Sequence, residues 1–461
     1  MDDLIARSAS DLLKLIRDRE ISPVELVDAY LQRIENINPR LNAIVTLAPD
    51  AISQARKAET TIMRGESIGN LLGLPITIKD TIETARLRST SGSKRRAQFV
   101  PDQDAPAVSR LKAAGAIILG KTNCAEMAMD YTADNPVFGR TLNPYDQSYT
   151  PGGSSGGEAA AIAACMSPAG LGSDLAGSIR IPSHFCGIAG LKPATNRVPS
   201  AGQGPPSIGP YSLGAAIGPM AKRVEDLELL FATLSGSQNR READHTLRGK
   251  HVAWYADDDV APVTKETRQA VKNAAGALAS AGLMVRECRP PGIERGYELW
   301  LKLFSRASVI QLRDVYQDHE TEGGGFVRWR LATADDTPTP SLDEYVRAWM
   351  ERDRLREALV QWMERTPLII APVGATPAFK HDTLKVTVDN QTIGVFRAFS
   401  YSQTFNVFDL PAVVVPAGRT AGGLPVGVQI IGRPFAEEEV LQAAAIVEKA
   451  LGGWQPPPNF E

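Results

Sequence analysis

Apolar side chains at Leu26, Val27, Tyr30, Leu31, Ile34 and Ile37 recur at helical spacing and predict one buried stripe. Ser22-Pro-Val-Glu25 stands just before it and combines an N-cap serine, a proline at the first helical position and a glutamate at the third. A helix should start there, and Asn38-Pro39 should stop it. Residues 1–20 read as one amphipathic helix with an acidic start, and Ala51–Met63 as a further helix. Leu74-Pro-Ile-Thr-Ile-Lys79 is short, apolar and β-branched, which predicts a strand ending on Lys79.

The pattern then alternates. A helix from 108, a turn at Gly115 and a strand over 116–119 form an α/β unit, and an alanine-rich helix covers 158–166. Helices are expected at 225–234 and 265–281, strands at 251–255 and 283–287, short buried strands at 367–372 and 412–416, and a last helix at 436–451. From 290 to 362 the pattern is long, charged and aromatic, broken by Gly323-Gly-Gly325 and Thr337-Pro-Thr-Pro340. It is the least regular stretch and reads as a lid or specificity region. Neither internal repeats nor low-complexity tracts interrupt the chain.

Composition narrows the function. With 461 residues, 50 basic and 53 acidic, the net charge is −3 and no long block of like charge marks a nucleic-acid or membrane footprint. Arg86, Arg88, Lys94, Arg95 and Arg96 form the one basic cluster of note and read as a solvated loop. The N-terminus lacks the blocks of a signal peptide, and no apolar run reaches about 18 residues, so a soluble, cytoplasmic protein is expected. Cys124, Cys165, Cys186 and Cys288 are too scattered to staple the fold and read as reduced thiols. Cys186 lies close to His184 in sequence, but near neighbours along a chain seldom face one another, so it reads as buried and structural. His184, His245, His251, His319 and His381 show no metal-ligand spacing. Neither metal nor cofactor is expected.

Chemistry concentrates in residues 151–182, PGGSSGGEAAAIAACMSPAGLGSDLAGSIRIP, where Ser154 and Ser178 are embedded in glycine-rich loops. Flanking glycines let the backbone approach a ligand closely, so a hydroxyl and several N–H groups can converge. A serine needs a base to act as nucleophile, and Lys79 is the best available. Gly153-Ser-Ser-Gly-Gly157 also satisfies the G-x-S-x-G pattern centred on Ser155, but no apolar strand precedes it, as a nucleophile elbow requires. A phosphate cradle would call for a following G-K-[ST], which is missing.

These motifs resemble the amidase signature family of serine hydrolases, which includes bacterial amidases, fatty-acid amide hydrolases and urethanases. Lys79, PGGSSGG, GSDLAGSIRIP and CGIAGLKP from Cys186 to Pro193 match its signature in order and spacing, and the likeness resumes around Asn406, Leu410-Pro-Ala412 and Gly423-Leu-Pro-Val-Gly427. The resemblance implies one α/β domain over 1–461, with a twisted mixed sheet flanked by helices on both sides. Within it fall N-terminal helices (1–70), the signature core (71–225) and a variable insertion (290–365).

It also implies a triad. Ser178 would be the nucleophile, Ser154, after a cis peptide, the proton relay, and Lys79 the base. The N–H groups of Leu175, Ala176, Gly177 and Ser178 would form the oxyanion hole. Asp174 and Arg180 would brace the turn as an ion pair, and Ser155 would support the loop. Many relatives carry glycine where this chain has Ala176, which alters the shape of the acyl pocket. Met129 and Tyr131 either line the substrate channel or pack in the core.

The expected substrate is a hydrophobic or aryl amide, anilide or carbamate, a small molecule, with neither nucleic acid nor membrane as partner and a monomer or homodimer as the working unit. Trp300, Phe304, Tyr316, Phe326 and Trp329 would offer the apolar surface. The alternative is a glutaminase subunit of a tRNA-dependent amidotransferase.

Overall fold

The computed structural model describes residues 2–66, 69–236, 247–336 and 339–458. Its thirteen strands are β1 (Ile44–Leu47), β2 (Pro75–Lys79), β3 (Ile117–Thr122), β4 (Ala169–Asp174), β5 (Ala189–Lys192), β6 (Ala216–Ala221), β7 (His251–Trp254), β8 (Met284–Glu287), β9 (Leu368–Pro372), β10 (Lys385–Val388), β11 (Gln391–Gly394), β12 (Ala412–Arg419) and β13 (Pro425–Ile431). β10 and β11 form a separate hairpin. The other eleven make one mixed sheet in the order β1-β3-β2-β4-β6-β5-β12-β13-β9-β7-β8. β2, β3, β4, β5, β6, β9 and β13 are buried along their whole length, as strands covered by helices on both faces must be. This is the expected α/β/α layering.

β2 runs parallel to both β3 and β4. Lys79 and Asp174, the last residues of β2 and β4, therefore emerge at the same edge of the sheet. Ligands bind outside the carboxyl ends of such strands, so the topology gathers the signature residues where a site can form.

The helix Pro23–Leu41 carries the capping box of Ser22 and Glu25, and the helix Ala51–Met63 has the bounds expected. Two local expectations are corrected here. The N-terminal segment is two helices, Asp2–Ala6 and Ala9–Arg17, because the Ser8 hydroxyl accepts the Asp11 N–H and restarts the helix. Pro39 does not stop its helix, which ends on Asn42 in the left-handed conformation. The Asn38 side chain instead accepts the N–H groups of Ala43 and Ile44 beyond the end.

The stretch after 290 is regular, not irregular. It holds helices Gly296–Trp300, Arg306–Tyr316, Gly325–Ala332 and Leu342–Met363, with a π-helical turn at Leu301–Ser305. Gly323 and Gly324 do separate two of these helices, while Thr337 and Pro338 lie outside the described residues. The basic cluster is partly tied down: Arg96 pairs with Glu83 and Arg95 with Glu322. None of the four cysteines forms a disulfide among the described residues. Among the described residues, which leave out His245, no side-chain group could hold a metal, and no helix is long and apolar enough to cross a membrane.

Candidate active site

Lys79 is completely buried, and its Nζ lies 2.6 Å from Ser154 Oγ and 3.0 Å from Ser173 Oγ. Burial lowers its pKa to about 8, while Cys124, Asp174 and Glu158 pull it back up. An amine so shifted is neutral in an appreciable fraction at physiological pH and can accept a proton. Glu158 lies on the same side of β2. Thr77, two residues before Lys79, and Thr122, its partner on β3, both donate to its carboxylate, at 2.5 and 2.8 Å. Burial raises Glu158 to about 7 against those hydrogen bonds and the charges of Lys121 and Lys79.

Ser154 follows a cis peptide from Gly153. The Ser155 N–H donates to the Ser178 carbonyl at 3.1 Å, which links the two serine loops directly. Ser155 Oγ donates to Ser173 O at 3.3 Å, so Ser155 ties the loop to β4. Three N–H groups of the glycine loop are engaged within the fold: that of Gly152 by Thr150 Oγ1, that of Ser155 by the Ser178 carbonyl and that of Gly157 by the Asn123 carbonyl.

The turn 174–178 is braced from its base. Arg180 donates to both carboxylate oxygens of Asp174, at 3.0 and 2.9 Å, and both side chains are fully buried. Arg180 also reaches Gln429 at 2.9 Å and Asn406 at 2.5 Å. Burial would push the Asp174 carboxyl up, but the Arg180 charge and hydrogen bonds hold it well below the usual carboxylate range. Asp174 also accepts the N–H of Gly177 at 2.9 Å, so that N–H is already engaged. The N–H groups of Leu175, Ala176 and Ser178 have no acceptor among the described residues.

A cavity of about 250 Å³ opens on Ser178. Met129, Tyr131, Leu175 and Ala176 line it, as do Trp300, Phe304, Phe326 and Trp329 from the helical stretch after 290. Tyr316 does not; its hydroxyl lies 2.6 Å from Ser93 Oγ and donates to Glu126 at 2.5 Å. Cys186 and His184 do not meet as a pair. The thiol points to Pro151 O, and His184 Nδ1 accepts the Gly427 N–H while Nε2 faces Thr376 O. Burial takes His184 down to about 4, which keeps it neutral.

The amidase family model matches residues 25–441 of this chain. The chain belongs to the amidase family. Human fatty-acid amide hydrolase 2 is 29% identical over all of this chain and 92% of that protein. A glutamyl-tRNA(Gln) amidotransferase subunit from Roseiflexus sp. (strain RS-1) is 35% identical over 94% of each. Among solved structures, a bacterial aryl acylamidase superposes with a TM-score of 0.85 at 26% identity, covering 96% of both chains. Members of this family hydrolyse amides, and the protein is an amidase.

Reading the amidase sequence alone left out Ser173, Glu158 and Gln429. Ser173 lies inside the GSD block already singled out, and Gln429 is the one polar side chain of the apolar strand Pro425–Ile431. A lone buried polar residue in such a run is the signal that would have found it.

Proposed function

We propose that this amidase cleaves hydrophobic or aryl amides, anilides or carbamates through an acyl-enzyme on Ser178. The observation that carries this reading is the apolar, aromatic wall of the cavity at Ser178, built by Trp300, Phe304, Phe326 and Phe396. Ser178 Oγ attacks the carbonyl carbon while its proton passes to Ser154, and the proton of Ser154 passes to neutral Lys79. The developing oxyanion is met by backbone N–H groups of residues 175–178, of which those of Leu175, Ala176 and Ser178 are free among the described residues. The C–N bond then breaks as the lysine proton returns through Ser154 to the leaving nitrogen. Water, deprotonated along the same relay, attacks the acyl-enzyme and frees the acid, or, when the substrate is a urethane that has lost its amine, a carbonic acid monoester that falls apart to the alcohol and carbon dioxide. Asp174, Arg180 and Ser155 hold the turn without touching substrate.

A second reading is a glutaminase subunit of an amidotransferase. It is supported by the 35% identity to the Roseiflexus amidotransferase protein and by Asp130 and Arg330, which place opposite charges in the cavity wall. A glutamine substrate carries an ammonium and a carboxylate to match.

Amine release from a short acyl anilide, a long-chain anilide, an aryl carbamate and glutamine, with Ser178→Ala as control, separates the two. Turnover of an anilide or carbamate that vanishes in the mutant supports the first. Activity confined to glutamine, or none until a partner protein is added, supports the second.

A further inference from the structure

Every carbonyl of the turn 174–178 accepts a hydrogen bond. Asn406 Nδ2 donates to Asp174 O at 3.4 Å, the Trp300 indole N–H to Leu175 O at 3.3 Å and the Tyr131 hydroxyl to Ala176 O at 2.8 Å. The Ile181 N–H holds Gly177 O at 2.6 Å, and the Ser155 N–H holds Ser178 O. All these peptides are trans. In a trans peptide the carbonyl of one residue and the N–H of the next point in opposite directions, so a donor fixed on the carbonyl aims the following N–H. Tyr131 thereby aims the N–H of Gly177, which ends on Asp174. Trp300 aims the N–H of Ala176, which has no acceptor among the described residues and belongs to a residue lining the cavity.

Trp300 is itself held firmly. It closes the helix Gly296–Trp300 and is followed at once by the π-helical turn, a distortion often found at functional sites. Gly296 lets that helix press on the helix Ser400–Val407: a Cβ at 296 would meet Thr404 Oγ1 at 2.1 Å. The indole stacks on Phe396 with ring centres 6.2 Å apart, and Phe396 packs on Tyr131 at 4.8 Å.

We propose that Trp300 is a positioning residue for oxyanion stabilisation. Its indole N–H, anchored on the Leu175 carbonyl, orients the Ala176 N–H toward the substrate oxygen. The variable segment therefore sets turnover as well as fit. This rests on residues 175–178 serving as the oxyanion turn and goes beyond it by giving one N–H an external control. A residue that only walls the cavity would act on KM, and differently for each acyl group.

Trp300→Phe keeps a ring in the wall and removes the donor. A second variant, with Trp300 replaced by its benzothiophene isostere, removes the N–H with almost no change of shape and covers the case in which the phenylalanine disturbs packing. Phe326→Leu serves as a wall control. The readouts are kcat and KM on a short-acyl and a long-acyl anilide, and the affinity of an aryl trifluoromethyl ketone, which forms a tetrahedral adduct on serine. Both Trp300 variants should lose about tenfold or more in kcat, by the same factor on both anilides, with KM within about twofold. Ketone affinity should fall in step with kcat/KM. Phe326→Leu should instead shift KM, unequally for the two substrates. An unchanged kcat in the isostere variant, or a loss in KM that depends on the acyl group, overturns the proposal. If the ketone fails to label Ser178 in the unmodified enzyme, the oxyanion reading itself is what fails.

Discussion

Ser173 Oγ lies 3.0 Å from Lys79 Nζ, reaching it from the strand that runs parallel to the lysine's own. Together with Ser154 at 2.6 Å it gives the buried amine two fixed partners, and two points define a direction where one does not. Ser173→Ala removes the partner that is not in the proposed relay. It leaves a buried N–H unpaired, at a cost of about 1–3 kcal/mol, and frees the amine to turn away from Ser154. Expected is a fall in kcat of about ten- to a hundredfold with little change in KM, read by steady-state kinetics. Full activity in this variant would show that Ser154 alone places the amine.

The rate should rise with pH. Burial brings Lys79 to about 8, against the opposing pull of Cys124, Asp174 and Glu158, and only the neutral amine accepts a proton. The kcat/KM profile should therefore climb about tenfold between pH 7 and 9 and then level off. His184, buried and shifted to about 4, adds no limb near neutrality. The same shift links to stability. Between pH 8 and the ordinary 10.5 the unfolded chain holds a proton that the native lysine has released, so this group's contribution to stability grows as pH rises through that window. A flat rate profile from pH 6 to 9, with chemistry limiting, would rule Lys79 out as the base.

Much of this arrangement was readable in the sequence, and the remainder resisted for identifiable reasons. Lys79 at the end of β2 followed from a β-branched run, and the two serines followed from their glycines. β4 and β6, AGLGSD and AIGPMA, have almost no β-branched residues. They are strands because the neighbouring strands take up their hydrogen bonds, so tertiary context overrides propensity. The helices after 290 read as irregular because they bury little: Gly325–Ala332 buries Val327 alone, and the 22-residue helix Leu342–Met363 buries Ala348, Leu359 and Met363. Without a continuous apolar stripe there is no period to read. Ser173 and Trp300 gain their meaning from partners 94 and 125 positions away, contacts that only the assembled fold supplies.

Asp174→Asn should be among the costliest single changes. Arg180 is fully buried and has Asp174 as its ion-pair partner, and losing one member of such a pair costs about 3–5 kcal/mol because the other charge stays buried. The native carboxyl titrates below its unfolded value, so the pair contributes above pH 4 and fades only as pH falls through the depressed native value. The variant should unfold at markedly lower denaturant and lose most activity, since the Gly177 N–H loses a charged acceptor. Adding Arg180→Met to it should restore part of the stability without restoring turnover. Equal stability of the single and double variants would argue that the uncompensated charge is not the source of the loss.

Adjacent residues of the turn should respond to substitution in opposite ways. Gly177 has φ of +104°, and a Cβ there would meet Ile181 Cδ1 and Ser402 Cβ at 2.8 Å. Gly177→Ala therefore combines a left-handed backbone with two collisions inside the turn that carries Ser178, the proposed nucleophile. It should lose a hundredfold or more in kcat on every substrate, on the order of 3 kcal/mol of transition-state stabilisation. Ala176 lies outside the left-handed region and faces the cavity, so its methyl occupies space that a substrate could use. Ala176→Gly should keep the turn and widen the acyl side, lowering KM for branched acyl anilides more than for acetyl ones, with kcat changed by a few-fold at most. Kinetics of both variants on an acetyl and a pivaloyl anilide give the comparison. A large kcat loss in Ala176→Gly with no shift in acyl preference would mean that the methyl braces the turn and does not shape the pocket.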